Sequence, residues 1–401
     1  MVPFKPNQRT FHTATLVNNK LYILDGISIN LTRTLNDFFY LDVSATYNTQ
    51  NLPWVDLSSI NTIVPQHAAA TSVKGGTNNN TLILYGGVTA NPKSSSLYTF
   101  DTQTNSWNIP TIVGNIPRKQ SLTGIIDNNG KMYLWGGSDG TNELNDMFIL
   151  DTINLIERVG SLVGAPTPRY NYGATLLPDN NIIYMGGYDG NAEFPLDLVY
   201  IYNTMNNSWS NITAKGKVPF SRDGFSVILG LDGSSVIIFG GTSTYSIQGL
   251  APDDSIYELN LFNFEWIIPK ISNTSQIPNS RMYHKANVIG KYMIISFGLG
   301  YDPSIESDIL LLDISNKNEY VWTDAFDLNS SSISTKPTAT NTVQPETSTQ
   351  PAQYKNIIGI IIGSLICITL VSFGGFFLYK WNKKTKWQKY IASIPHILSD
   401  C

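Results

Sequence analysis

The sequence predicts an all-β fold made of six repeated four-stranded antiparallel sheets, or seven if residues upstream of Met1 add a repeat. Three observations predict it. A hydrophobic run ending in paired glycines recurs as "LILYGG" to Gly87, "MYLWGG" to Gly137, "IIYMGG" to Gly187 and "VIIFGG" to Gly241. Each copy carries four short apolar runs separated by turn signals, the mark of consecutive antiparallel strands. A tryptophan closes nearly every copy: Trp54, Trp107, Trp209, Trp266 and Trp322, with Glu157 at that place in the third. One such sheet cannot bury both its faces alone, so neighbouring sheets must cover it. A closed ring of them is a β-propeller.

The elements of a unit follow in order. A Pro/Arg turn comes first: Arg9, Pro117-Arg118, Pro168-Arg169, Arg222 and Arg281, with Pro65-Gln66 in the second copy. The apolar run and its glycines come next. Degenerate versions are "LYILDG" to Gly26, where Asp25 replaces the first glycine, and "MIISFG" to Gly298. A β-like run between acidic or amide residues follows, as in "DFFYLD" (37–42), "DMFILD" (146–151) and "DILLLD" (308–313). The tryptophan strand ends the unit. The copies phase as 1–57, 58–114, 115–164, 165–215, 216–272 and 273–328.

Beyond them, residues 329–356 are rich in Ser, Thr and Pro and read as a disordered stalk. Residues 357–379 form an uncharged run of 23, long enough for a transmembrane helix. Lys380, Lys383, Lys384, Lys386 and Lys389 follow it, which assigns 380–401 to the cytoplasm as a basic tail. The propeller is then expected at the cell surface or in the secretory lumen of a single-pass type I protein. The opening residues have no signal-peptide character, so this reading expects a signal upstream of Met1. Sequons at Asn30, Asn79, Asn206, Asn211, Asn273 and Asn329 are glycosylation candidates. Gly359 and Gly363 offer a helix-pairing face for a homodimer.

The hydrophobic run, double glycine, Tyr/Asp strand and tryptophan together resemble the kelch motif over residues 9–325. With the stalk, span and tail, the chain resembles the membrane-anchored kelch proteins of fungi, whose repeats resemble the galactose oxidase central domain. That resemblance raises an enzyme reading and also limits it. Galactose oxidase chemistry needs copper held by two His and two Tyr, one of them cross-linked to Cys. Both cysteines, Cys367 and Cys401, lie beyond residue 328, so the cross-linked cofactor cannot form in the propeller.

His12 and His284 follow Arg9 and Arg281 at one repeat offset, as turn-orienting residues or, if the ring brings them together, as metal ligands. No cofactor or metal is expected. The arginines carry two readings. They pair with acidic turn residues of the next sheet, or Arg9, Arg118, Arg169, Arg222 and Arg281 form a guanidinium ring at the channel mouth that binds an anion or sugar acid. Residues 1–328 hold 19 Lys and Arg against 28 Asp and Glu, which argues against nucleic acid. The functional expectation is a protein- or glycan-binding module. Its alternative is a carbohydrate-active enzyme, mutarotase-like or oxidase-like, working at the channel mouth. Recognition is expected in the loops that differ most between copies, around 27–36, 242–252 and 299–306.

Overall fold

The computed structural model describes residues 4–328 apart from 32, 92, 244–253 and 302–305. The stalk, the apolar run, the tail, Asn329, Gly359 and Gly363 lie outside the described residues, as do most of the expected recognition loop 242–252 and half of 299–306.

Six blades of four antiparallel strands are present, each built from one uninterrupted stretch of chain. From the axis outward, blade 1 runs Thr13–Val17, Lys20–Leu24, Phe38–Asp42 and Trp54–Asp56. Blade 2 runs from Thr71–Gly75 to Ser106–Asn108, blade 3 from Ile125–Ile126 to Ile156–Val159, and blade 4 from Gly173–Leu176 to Ser208–Thr213. Blade 5 runs from Ser226–Leu229 to Glu265–Ile267, with Lys215–Gly216 added in parallel at its outer edge. Blade 6 runs from Lys285–Ile289 to Val321–Thr323.

The second strand of each blade ends in the glycine motif, and its burial explains its composition. After a half-buried or exposed first residue, the runs Leu21–Leu24, Leu82–Tyr85, Met132–Trp135 and Ile182–Met185 are buried without a break. Blades cover both faces here, so every position is apolar and the alternation of a half-exposed strand is absent. The core is accordingly a set of apolar layers between adjacent blades.

The tryptophans join each blade to the one before it. Trp107 meets Phe38 with ring centres 5.2 Å apart, Trp209 meets Trp135 at 5.5 Å, and Trp322 meets Phe239 at 5.5 Å. Trp266 Nε1 donates to Leu196 O at 3.0 Å. Trp54 closes the cycle against Phe297 of blade 6 at 5.8 Å. Glu157, the exception, keeps Oε1 buried without a partner and Oε2 3.4 Å from the Asn115 amide.

Around the axis the blades are tied by a cyclic chain of backbone hydrogen bonds. Phe11, Ala69, Ser121, Asn171, Gly224 and Tyr283 hold equivalent places, one per blade. Each amide donates to the carbonyl of its predecessor, and Phe11 donates to Tyr283, over 2.7 to 3.2 Å. All six have φ between +52° and +64°. Five are not glycine, so the geometry is held against a local cost of about 1–2 kcal/mol per residue. The cycle closes with six members from residues within the described chain, which resolves the question of a seventh blade.

Candidate functional site at the channel mouth

The arginines are inside the blades. Arg9, Arg222 and Arg281 are fully buried and Arg169 nearly so. Their guanidinium groups bind backbone of their own blade: Arg169 Nη1 donates to Gly186 O at 3.1 Å, and Arg222 Nη1 to Gly240 O at 3.1 Å and Asp254 O at 3.0 Å. Arg9 adds a 2.6 Å ion pair to Asp37 of its own sheet, not of the next one. Their carbonyls face the other way and accept from the second glycine of the preceding blade, as Arg281 O does from Gly241 at 2.8 Å. This corrects the expected guanidinium ring at the mouth: these groups already have protein partners.

The same carbonyl bond corrects the alignment of two copies. Gly87 donates to Lys119 O and Gly26 to His67 O, so Lys119 and His67, not Arg118 and Gln66, hold the position. Lys119 is buried, with Nζ 2.6 Å from Asp146 Oδ1. Arg118 is half-buried and caps Ser94 O and Ser95 O, both at 2.7 Å. His67 is matched to the unusual Asp25, with Nδ1 2.8 Å from Asp25 Oδ2. Burial raises the Asp25 carboxyl. Burial opposes the His67 charge, but the Asp25 carboxylate prevails and lifts it.

His12 and His284 each reach back to a serine of the preceding blade, Ser296 at 3.0 Å and Ser226 at 2.8 Å. Burial holds His12 well below its ordinary value, with Arg9 and Lys285 adding to it. Burial likewise takes His284 down to about 3, with Arg281 and Lys285 contributing. Both rings are therefore neutral hydrogen-bonding spacers between blades. Among the described residues no group of three His, Cys, Asp or Glu is placed to hold a metal. Five sequon asparagines, Asn30, Asn79, Asn206, Asn211 and Asn273, are exposed.

The mouth itself is built from two positions per blade. The residue after the buried cation bridges the residue after the glycine pair: Ala68 with Val88, Gln120 with Ser138, Tyr170 with Tyr188, Asp223 with Thr242, and Met282 with Leu299. In blade 1, Thr10 pairs with Ile27. The mouth is therefore two-sided. Blades 6, 1 and 2 place Met282, Thr10, Ile27 and Ala68 there, all buried, with Val88 and Leu299 half-buried. Blades 3 to 5 present amide, tyrosine and carboxylate, with Glu143 and Glu193 bridged to Ser138 and Tyr188 beside them.

Asp223 is the centre of the polar half. It is buried, and one oxygen accepts from Asn171 Nδ2 at 3.0 Å and from the Tyr283 hydroxyl at 3.2 Å. Burial pushes its carboxyl up to about 7, with the Glu193 charge adding to it and the two hydrogen bonds opposing. Tyr283 in turn stacks on Phe11 with ring centres 4.2 Å apart. The loops Tyr188–Gly190 and Glu143 meet directly: a Cβ on Gly190 would lie 2.8 Å from Glu143 Oε1. Only the "YDG" loop of this set was visible in the sequence. Asp223 follows Arg222 and reads there as part of the repeat.

A comparison with protein families agrees with this geometry. The profile of the KLHDC2/KLHL20/DRC7 Kelch-repeats domain matches residues 11–241 and 174–391. The chain belongs to the kelch-repeat family. Among curated proteins, the kelch chain is 29% identical over 239 residues to acyl-CoA-binding domain-containing protein 5 of Arabidopsis thaliana, covering 57% of this chain and 34% of that one. It is 24% identical over 158 residues to host cell factor of Drosophila melanogaster, covering 37% and 10%. It is 28% identical over 159 residues to human host cell factor 1, covering 37% and 7%. The chain thus spans about a third or less of the length of these relatives.

Proposed function

We propose that this kelch propeller binds a basic segment of a partner protein across the mouth of blades 3 to 5. The observation that carries the reading is Asp223, a buried acid whose charge is felt by Tyr170 and Tyr188 and whose carboxyl is raised by its burial and by Glu193, with Glu143 beside them. A lysine or arginine placed there meets carboxylates and tyrosine rings together, and aromatic faces attract cations. Loops on a rigid scaffold are the usual place for such recognition.

The pH dependence follows from Asp223. Its free carboxyl titrates near 7, and a bound cation favours the ionised form, so binding releases a proton. Affinity therefore rises with pH, by about tenfold between pH 6 and 8. Calorimetry with a binder selected from an array of lysine- and arginine-containing peptides measures it. Asp223→Asn weakens that binder by about 30-fold at pH 8 and flattens the pH profile. The same variant has a higher melting temperature at pH 8. A raised carboxyl contributes stability at low pH that is lost as pH rises through its folded value. An affinity indifferent to both pH and the substitution, or capture of neutral glycans on a parallel array with the peptides silent, sinks the reading.

We also propose that the propeller is displayed outside the cytosol on a single membrane span. Support comes from the uncharged run 357–379, the lysines after it, and exposed sequons before it. Glycosidase treatment of the cellular protein is expected to increase its gel mobility. No shift, with the propeller shielded from protease in intact cells, rejects this topology.

A further inference from the structure

The face opposite the mouth carries its own departure from the repeat. In every blade the residue after the third strand binds the turn between the first two strands. The Val43, Thr102, Thr152, Leu261 and Ile314 amides donate to the carbonyls of Asn19, Asn80, Gly130, Ser234 and Lys291 over 2.8 to 3.2 Å. In blade 4 the Thr204 hydroxyl donates to Asn180 O at 2.7 Å. The next residue is an outward tip, equivalent in all six blades. Blades 6, 1 and 2 place Ser315, Ser44 and Gln103 there. Blades 3, 4 and 5 place Ile153, Met205 and Phe262, which are 44%, 79% and 85% exposed.

The charge beside the tips changes with them. Each tip amide is capped by the side chain of the residue that ends the third strand. In blades 1, 2, 3 and 6 that cap is an acid: Asp42, Asp101, Asp151 and Asp313. In blades 4 and 5 it is a neutral amide, Asn203 at 3.0 Å from the Met205 nitrogen and Asn260 at 2.8 Å from the Phe262 nitrogen. The carboxylate is thus replaced where the apolar tip stands furthest out. A carboxylate is far more costly than an amide to take out of water. The paired change suits tips that enter an apolar medium.

Two further facts select the medium. The tips come one per blade on separate turns, and a fluid interface accepts separate apolar anchors without a matched pocket for each. The chain also leaves the propeller at this face. Leu328 packs over Gly290 in the first turn of blade 6, and the Tyr292 hydroxyl donates to Asp327 O at 3.2 Å. The sequence then continues through 329–356 to the uncharged run 357–379.

We propose that this face lies on a lipid bilayer, with Phe262 and Met205 inserted at the headgroup level and Ile153 at the edge of the contact. The choice of a bilayer rests on the membrane-span reading given above.

The test uses the full chain reconstituted in phosphatidylcholine vesicles that carry a trace of lipid with a diazirine in its acyl chain. After photolysis, peptides containing Phe262 and Met205 carry about fivefold more label than those containing Gln103 and Ser44. Asn206 belongs to a sequon, so Phe262, with no sequon beside it, is the decisive reporter. Phe262→Asp lowers the label at Met205 by about threefold, whereas Gln103→Asp leaves it unchanged. Label on 357–379 with no more on Phe262 than on Gln103 overturns the proposal and leaves the span reading standing. Label on both tips with none on 357–379 supports the lipid-facing surface and rejects the span.

Discussion

Gly240→Ala is expected to abolish the fold or to destabilise it by about 5 kcal/mol or more. A Cβ at this position would lie 2.1 Å from Arg281 O and 2.9 Å from His284 Cε1. The carbonyl cannot retreat, because it accepts the Gly241 amide at 2.8 Å and so joins blade 5 to blade 6. The backbone also sits at φ +70°, where a side chain is strained on its own account. Gly140→Ala separates the two causes. It has φ +96° but its Cβ would meet only Gln120 Nε2, at 3.8 Å. It should cost only the conformational term, about 1–2 kcal/mol. Denaturant midpoints of the two variants measure the difference. Similar losses for both would mean that the close approach between blades is not what requires the glycine.

Arg222→Ala is expected to cost about 3–5 kcal/mol, seen as a fall of roughly 10 °C in melting temperature. The guanidinium donates to Phe220 O at 3.1 Å, Gly240 O at 3.1 Å and Asp254 O at 3.0 Å. Deleting it strands those carbonyls inside the blade and leaves a void beside Tyr257. Arg222→Lys should lose less than half as much. Blade 3 shows why: Lys119 Nζ reaches Leu134 O and Asp146 O, both at 3.2 Å, from the same position. An alanine variant as stable as the lysine variant would show that the cation is not the fastener of the glycine turn.

How far this was legible in the sequence differs between elements. The glycine pairs, the apolar runs and the tryptophans repeat because every blade boundary imposes the same packing, so strand order and blade number follow from counting. The cation position was only partly legible. Turn lengths differ between copies, so a neighbouring Arg118 could pass for the repeat position that Lys119 occupies. That the arginines point into the blades was not legible, since a guanidinium bound to carbonyls and one facing solvent share one sequence signature. Asp223 was hidden for another reason. Its partners Asn171 and Tyr283 belong to the neighbouring blades on either side, and only the closed ring brings the three together.

The seam between blades 6 and 1 carries the fastenings shared by every seam except that of blades 2 and 3, where Glu157 replaces the tryptophan: the Phe11–Tyr283 member of the cycle, the Gly298 amide on Arg9 O, and Trp54 on Phe297. It adds Ala325–Phe326 paired with Tyr47–Asn48 at the rim. No blade borrows a strand from the far end of the chain. The ring consequently has no privileged starting point. Its blades are modular in the sense that a circular permutant opened in another linker keeps the same cycle of axial hydrogen bonds. Duplication or exchange of one repeat also keeps each four-stranded blade whole, because only the small rim pairing of Ala325–Phe326 with Tyr47–Asn48 joins distant pieces of chain. What resists a change of blade number is the six-membered cycle at the axis, whose left-handed turns set the angle at which each blade meets the next.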